Sequence, residues 1–109
     1  PGRTMVRTEL YFGTEKPGPD VTENQFRSFV SGAITPRFPD GLTVHTAYGQ
    51  FKNSAGHIVK ERSYVVVLFY PVTDAAPANT KVEQIRRAYL ARFDQESVLR
   101  ADSTDRVSF

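Results

Sequence analysis

The run YVVVLFY, Tyr64–Tyr70, most narrows what this chain can become. Its seven apolar residues do not alternate with polar ones, so as a strand it needs cover on both faces and belongs in the interior of a sheet. The remainder of the 109 residues supplies its neighbours. MVRTELYFG, residues 5–13, alternates Val6, Thr8, Leu10 and Phe12 with Arg7, Glu9 and Tyr11, the period of a strand with two unlike faces. After the PDG turn, Leu42–Phe51 predicts a second strand, and KNSAG reverses the chain toward the third. QESVLRAD and RVSF predict a fourth strand, broken near Ser103–Asp105.

Two helices separate these strands. Thr22 followed by Gln25 is a capping-box spacing, and Phe26, Phe29, Val30 and Ala33 then recur at helical period, predicting a helix from Thr22 to about Thr35 that Pro36 stops. DAAPA reads as a loop. Thr80 and Glu83 repeat the capping-box spacing ahead of Val82, Ile85, Tyr89 and Phe93, predicting a second helix over Lys81–Phe93. The order strand, helix, strand, strand, helix, strand is the βαββαβ order of the ferredoxin-like α+β fold, with two helices on one face of a four-stranded antiparallel sheet. A single domain over residues 1–109 is expected.

That fold leaves the third strand with one uncovered face. Each large apolar side chain left in water there forgoes on the order of 1.5–3 kcal/mol. A second copy is the simplest cover, which predicts a homodimer joined through the open sheet faces as an α+β barrel. A bound apolar ligand is the other.

Composition excludes several classes of function. Fourteen Lys and Arg against twelve Asp and Glu give a formal charge of +2, scattered along the chain, too weak a field to call for a polyanion. With no cysteine there is no disulfide and no thiolate, and the two histidines, His45 and His57, cannot by themselves build a zinc site. No metal and no cofactor are expected. No apolar run is long enough to span a membrane, so a soluble, cytoplasmic chain is expected, with an exported and trimmed precursor as the alternative.

Strand parity selects the candidate site. If Val6, Leu10 and Phe12 face the helices, then Glu9 and Tyr11 face the open side; on the second strand Thr43 and His45 fall there too. An apolar floor with a carboxylate, a phenol and an imidazole suits a small-molecule pocket, and two strand spacings put Glu9 and His45 roughly 10 Å apart at the backbone. A ligand between them could lose a proton to one group and regain it from the other, as in isomerisation, cyclisation, dehydration or hydration. Glu9, His45 and Tyr11 are therefore the candidate catalytic groups. Tyr48, Tyr64 and Glu96 are candidate substrate contacts, with Arg62 and Arg100 as anion anchors. Tyr48 has core parity unless Gly49 marks a bulge. The plain structural alternatives are a Glu9–Arg100 cross-strand pair, a surface His45, and Gln95 and Glu96 satisfying backbone groups.

ELYFG at Glu9–Gly13, TPRFPDGLTV at Thr35–Val44, QESVL at Gln95–Leu99 and VSF at Val107–Phe109 resemble the motifs of a bacterial family catalogued as a domain of unknown function. The resemblance implies the ferredoxin-like fold and carries no established chemistry. Members often have tryptophan where Phe51 stands and cysteine where Arg106 stands, and many carry an export signal. The reading is thus a small homodimeric protein for an apolar, oxygen-bearing metabolite, leaning toward a cofactor-independent lyase, isomerase or cyclase. The alternatives are a single-stranded RNA module or a non-catalytic assembly domain. LYFG and RSYVVVLF match the outline of RNA-recognition segments, but Ser63 replaces the glycine and Val66 a stacking aromatic.

Overall fold

The computed structural model describes residues 2–109. Its elements are β1 (Arg3–Gly13), α1 (Glu23–Phe29), β2 (Thr43–Lys52), β3 (Ile58–Pro71), α2 (Ala75–Phe93) and β4 (Leu99–Val107). The strands form one antiparallel sheet in the order β2-β3-β1-β4, so the apolar third strand is interior, as its sequence requires. This is the ferredoxin-like α+β arrangement. Among the described residues, no helix is long and apolar enough to cross a membrane.

Helix α1 begins as its sequence predicts. The Thr22 hydroxyl accepts from the Gln25 N–H and the Gln25 side chain accepts from the Thr22 N–H, closing a capping box. Its last part, Val30–Ile34, widens into a π-helix before Pro36. Helix α2 starts six residues earlier than the spacing predicts, since DAAPA is its first turn and not a loop. Alanine favours helix, and Pro77 lies in the first turn, where an N–H has no intrahelical acceptor to lose. Thr80 is therefore internal to the helix, and Glu83 pairs with arginines instead of closing a box. The helix ends at Asp94 in the left-handed conformation, φ 53°.

Two strand boundaries also differ from expectation. β4 runs unbroken through Ser103–Asp105, while Gln95–Val98 is loop. β3 starts at Ile58 because the β2–β3 hairpin pairs down to Lys52↔Ile58. There Asn53 accepts from the Ala55 and His57 N–H groups, and Gly56 takes φ 85°, fixing the reversal.

The core lies between the helices and the two central strands. Leu10 and Phe12 of β1, Tyr64, Val66 and Leu68 of β3, and Phe26, Phe29, Val82, Ile85, Tyr89 and Phe93 of the helices are all buried in one cluster. Phe12 and Tyr89 meet edge to face at 4.7 Å, and Tyr64 stacks on Phe26 at 4.2 Å. Neither β2 nor β4 contributes a buried residue to it.

Candidate functional site

Opposed residues of antiparallel strands share a face, so the registers define the open one. It carries Arg7, Glu9 and Tyr11 on β1, Val65, Val67 and Phe69 on β3, Thr43 and His45 on β2, and Leu99, Ala101, Ser103 and Asp105 on β4. Along β1 the polar side chains interlock. The Tyr11 hydroxyl donates to Glu9 Oε1 at 2.6 Å, and Arg7 Nη2 lies 2.7 Å from Glu9 Oε2. Arg7 also reaches Asp105 at 3.9 Å, and its guanidinium stands 6.0 Å from the centre of the Phe69 ring. The hydrogen bond to Glu9 raises the Tyr11 pKa, helped by desolvation and the nearby charge of Glu9, so the phenol holds its proton.

At the end of this face where β1 stops and the hairpin projects, a cavity of about 460 Å³ opens. Tyr11, Phe51, Glu61, Ser63 and Leu99 line it, and the Glu15–Pro17 and Asp94–Ser97 loops flank it. Glu61 Oε1 accepts from the backbone N–H groups of Thr14 and Glu15, both at 2.8 Å. Gly13 makes room for that carboxylate, since a Cβ there would stand 2.7 Å from Glu61 Oε2. Below it, the Tyr89 hydroxyl donates to the Gly13 carbonyl at 2.5 Å, and burial, then the charges of Glu61 and Tyr64, push the Tyr89 pKa far up. Gln95 donates to the Glu15 carbonyl at 2.8 Å, and Ser54 donates to Glu96 Oε1 at 2.6 Å, tying the loops to the strand ends.

Glu9 and Tyr11 are thus brought together, and Tyr11 touches the cavity. His45 is on the same face, opposite Val65 in the row that also holds Tyr11, but it is exposed and stands outside the wall of the cavity that Tyr11 lines. The expectation that Glu9, Tyr11 and His45 line one cavity is corrected: β3 lies between β1 and β2, and Glu9 points along β1 toward Arg7. Glu96 does line the cavity.

Four other placements correct the sequence reading. Tyr64 faces the helices, 2% exposed, because β3 parity puts Val66 and Leu68 with it in the core. Arg62 shares that parity, with its guanidinium 5.9 Å from the centre of the Tyr64 ring. Arg100 also lies on the helix side, paired with Glu83 at 2.9 Å and Asp102 at 3.0 Å, so it cannot meet Glu9. Tyr48 keeps core parity, the register passing Gly49 without a bulge, yet it is 88% exposed because the helices stop short of β2. An RNA-stacking platform loses Tyr64, leaving Tyr11 and Phe69 as the central-strand aromatics of the open face.

Glu61 escaped the sequence reading. Extending the period of β3 upstream of Tyr64 would have put Glu61 and Ser63 beside Val65, but the apolar run suggested a strand starting at Tyr64. A second, open cavity of about 970 Å³ lies at the other end of the sheet, walled by Phe38, Pro39, Thr43, Phe69 and Phe109. Segments Glu9–Gly13 and Gln95–Leu99 thus frame the first cavity, and Thr35–Val44 and Val107–Phe109 the second. Among the described residues, no group of three or more His, Asp and Glu is arranged to hold a metal ion.

The chain is similar in structure to a phage SAM lyase in complex with S-methyl-5'-thioadenosine, with a TM-score of 0.70, 16% identity, and coverage of 97% of this chain and 92% of that one. A phage SAM lyase in the apo state gives a TM-score of 0.63 at 17% identity, covering 99% of this chain and 92% of that one. At such identities the likeness is one of fold. No curated protein sequence matches the chain. The family model described as "Protein of unknown function (DUF3574)" matches residues 7–109, nearly the whole length, and the chain belongs to that family.

Proposed function

We propose that this chain is a small homodimeric enzyme of the lyase type, needing no bound cofactor, that takes an oxygen-bearing nucleoside sulfonium, and the thioether it releases, into the cavity beside Tyr11. The observation that carries the reading is the Tyr11 hydroxyl, hydrogen-bonded to Glu9 at 2.6 Å and set in the wall of that cavity. A volume near 460 Å³ lies within the range of small-molecule sites, roughly 300–1,000 Å³, and its mixed apolar and polar lining is typical of them. The structural likeness to a SAM lyase supports the reaction class, on a fold that hosts many others.

The chemistry follows from the pair. Tyr11 holds its proton, so it does not act as a free phenolate. Instead its oxygen accepts a proton from a ligand carbon as its own hydroxyl proton passes to Glu9 Oε1. The electron pair of the broken C–H bond forms the new π bond, and the leaving group departs with its own bonding pair. Glu9 then returns the proton through Tyr11 or to water. Arg7, 2.7 Å from the other carboxylate oxygen, holds Glu9 oriented for this. His45, two strands away, meets only a ligand long enough to span the face.

The test uses S-adenosylmethionine as substrate and S-methyl-5'-thioadenosine as ligand. Saturable binding of the thioether and release of it from S-adenosylmethionine are expected. Tyr11→Phe and Glu9→Gln should each slow turnover by about 10²- to 10⁴-fold with the fold intact by circular dichroism. No binding and no turnover in the wild-type protein would remove this substrate class. Unchanged turnover in Tyr11→Phe would remove the relay.

A further inference from the structure

Two surfaces of the sheet can carry the homodimer, and the monomer has closed them to different extents. On the open face, Arg7, Glu9 and Tyr11 already lie across the floor, and Val67 is only 7% exposed. The β2 side is bare. Of its ten residues nine are exposed and Ala47 half-buried, and among the described residues no strand pairs with its outer edge.

The opposite edge shows what a shielded one looks like. β4 carries Arg100, Asp102, Asp105 and Arg106 in nine residues, and such charges discourage further strand pairing. A two-fold pairing of β4 with its copy about its midpoint would set Arg100 against the copy's Arg106, like charge opposite like charge. β2, TVHTAYGQFK, has none of these devices. It contains no proline, its register with β3 runs without a bulge, and Lys52 at its last position is the one Lys, Arg, Asp or Glu in it.

We propose that a second copy of this chain docks at the β2 edge, the two β2 strands pairing antiparallel about a two-fold axis normal to the sheet. The result is one continuous eight-stranded sheet. This rests on the homodimer part of the reading above and not on its chemistry. A two-fold of this kind opposes residues of equal parity, so both helix layers stay on one side. With the axis at Tyr48, the two Tyr48 side chains meet and Lys52 faces the copy's Val44. With the axis at Ala47, Tyr48 faces Thr46, and Lys52 passes beyond the end of the copy's strand. Neither register opposes like charges, in contrast to β4. The pairing is also closed: it consumes both β2 edges, leaves only the charged β4 edges outside, and so stops at two chains. The open face and its cavity remain accessible to ligand.

The experiment is sedimentation velocity at micromolar concentration on wild type, on Thr46→Lys/Tyr48→Lys, and on Phe69→Lys as the open-face control. Both β2 positions are exposed, so the double variant should keep its circular dichroism spectrum and melt cooperatively. Wild type and Phe69→Lys should sediment as two chains and the β2 double variant as one. Since the chain has no cysteine, Tyr48→Cys and Ala47→Cys, one for each register, provide an independent readout: mild oxidation should give a covalent dimer of one of them on a non-reducing gel. A monomeric wild type, a dimer split by Phe69→Lys but not by the β2 lysines, or the absence of a cross-link in both Tyr48→Cys and Ala47→Cys would overturn the edge. Binding of S-methyl-5'-thioadenosine by a monomeric protein would separate failure of this assembly from failure of the site.

Discussion

The two faces of the sheet are built from the same strands by opposite means. Toward the helices, alternate residues of β1 and β3 meet Phe26, Phe29, Tyr89 and Phe93 in a cluster that excludes water. On the other side the same strands show Arg7, Glu9 and Tyr11, fastened to one another, and Glu61, fastened to backbone amides. Burial of apolar area holds the first face together, so its side chains are interchangeable only at constant volume. Specific hydrogen bonds hold the second, and changes there should reach function before stability. The cavity lies on the second face, but the carbonyl of Gly13 that supports its wall is held by Tyr89 from the first.

Substitutions can break that contrast in order of size. Phe12→Ala removes a fully buried ring from the centre of the aromatic cluster and should destabilise by about 3–5 kcal/mol in urea unfolding. A loss below about 1 kcal/mol would mean that the core tolerates the void. Gly13→Ala should cost less, about 1–2 kcal/mol, by pushing the Glu61 carboxylate off the Thr14 and Glu15 amides. Its larger effect is expected on the cavity: weaker binding of S-methyl-5'-thioadenosine by isothermal titration, whereas unaltered affinity would place the ligand elsewhere.

A smaller effect depends on pH. The hydrogen bond to Arg86 lowers the Glu83 pKa, desolvation opposes this, and Arg100 adds to the lowering. Because the folded value is depressed, Glu83 contributes stability above the unfolded carboxylate pKa, about 4.3, and loses it as pH falls through the folded value. The gap in unfolding midpoint between wild type and Glu83→Gln should therefore be widest near neutrality and narrow in acid below the usual carboxylate range. A gap independent of pH would assign it to packing. Tyr48→Ala should change least, within about 0.5 kcal/mol for the isolated chain, since an exposed side chain has little burial to lose. In the dimer joined at β2 the same change should lower the association constant, and a monomer destabilised by several kcal/mol would return Tyr48 to the core.

Periodicity was enough to read the fold. YVVVLFY demanded an interior strand, MVRTELYFG gave a two-faced neighbour, and Thr22 with Gln25 marked a helix start that the structure keeps. The same alternation placed Glu9, Tyr11 and His45 on one face, because side-chain direction in a strand is a local property of the backbone. Local spacing misled where a distant partner decided. Thr80 with Glu83 has the form of a cap, but Glu83 pairs with Arg100 from β4, and Ala75 and Ala76 extend the helix ahead of it. Parity gave Tyr48 the core side of β2 without revealing that the two helices cover only the central strands. Glu61 acquires its place only when β3 crosses beside Gly13 and the Thr14 and Glu15 amides turn toward it, contacts 46 and 47 residues apart in sequence. Sequence alone determined which way each strand residue points. Tertiary structure decided what it meets there, because burial, ion pairing and a cavity wall each require groups from elements that sequence separates.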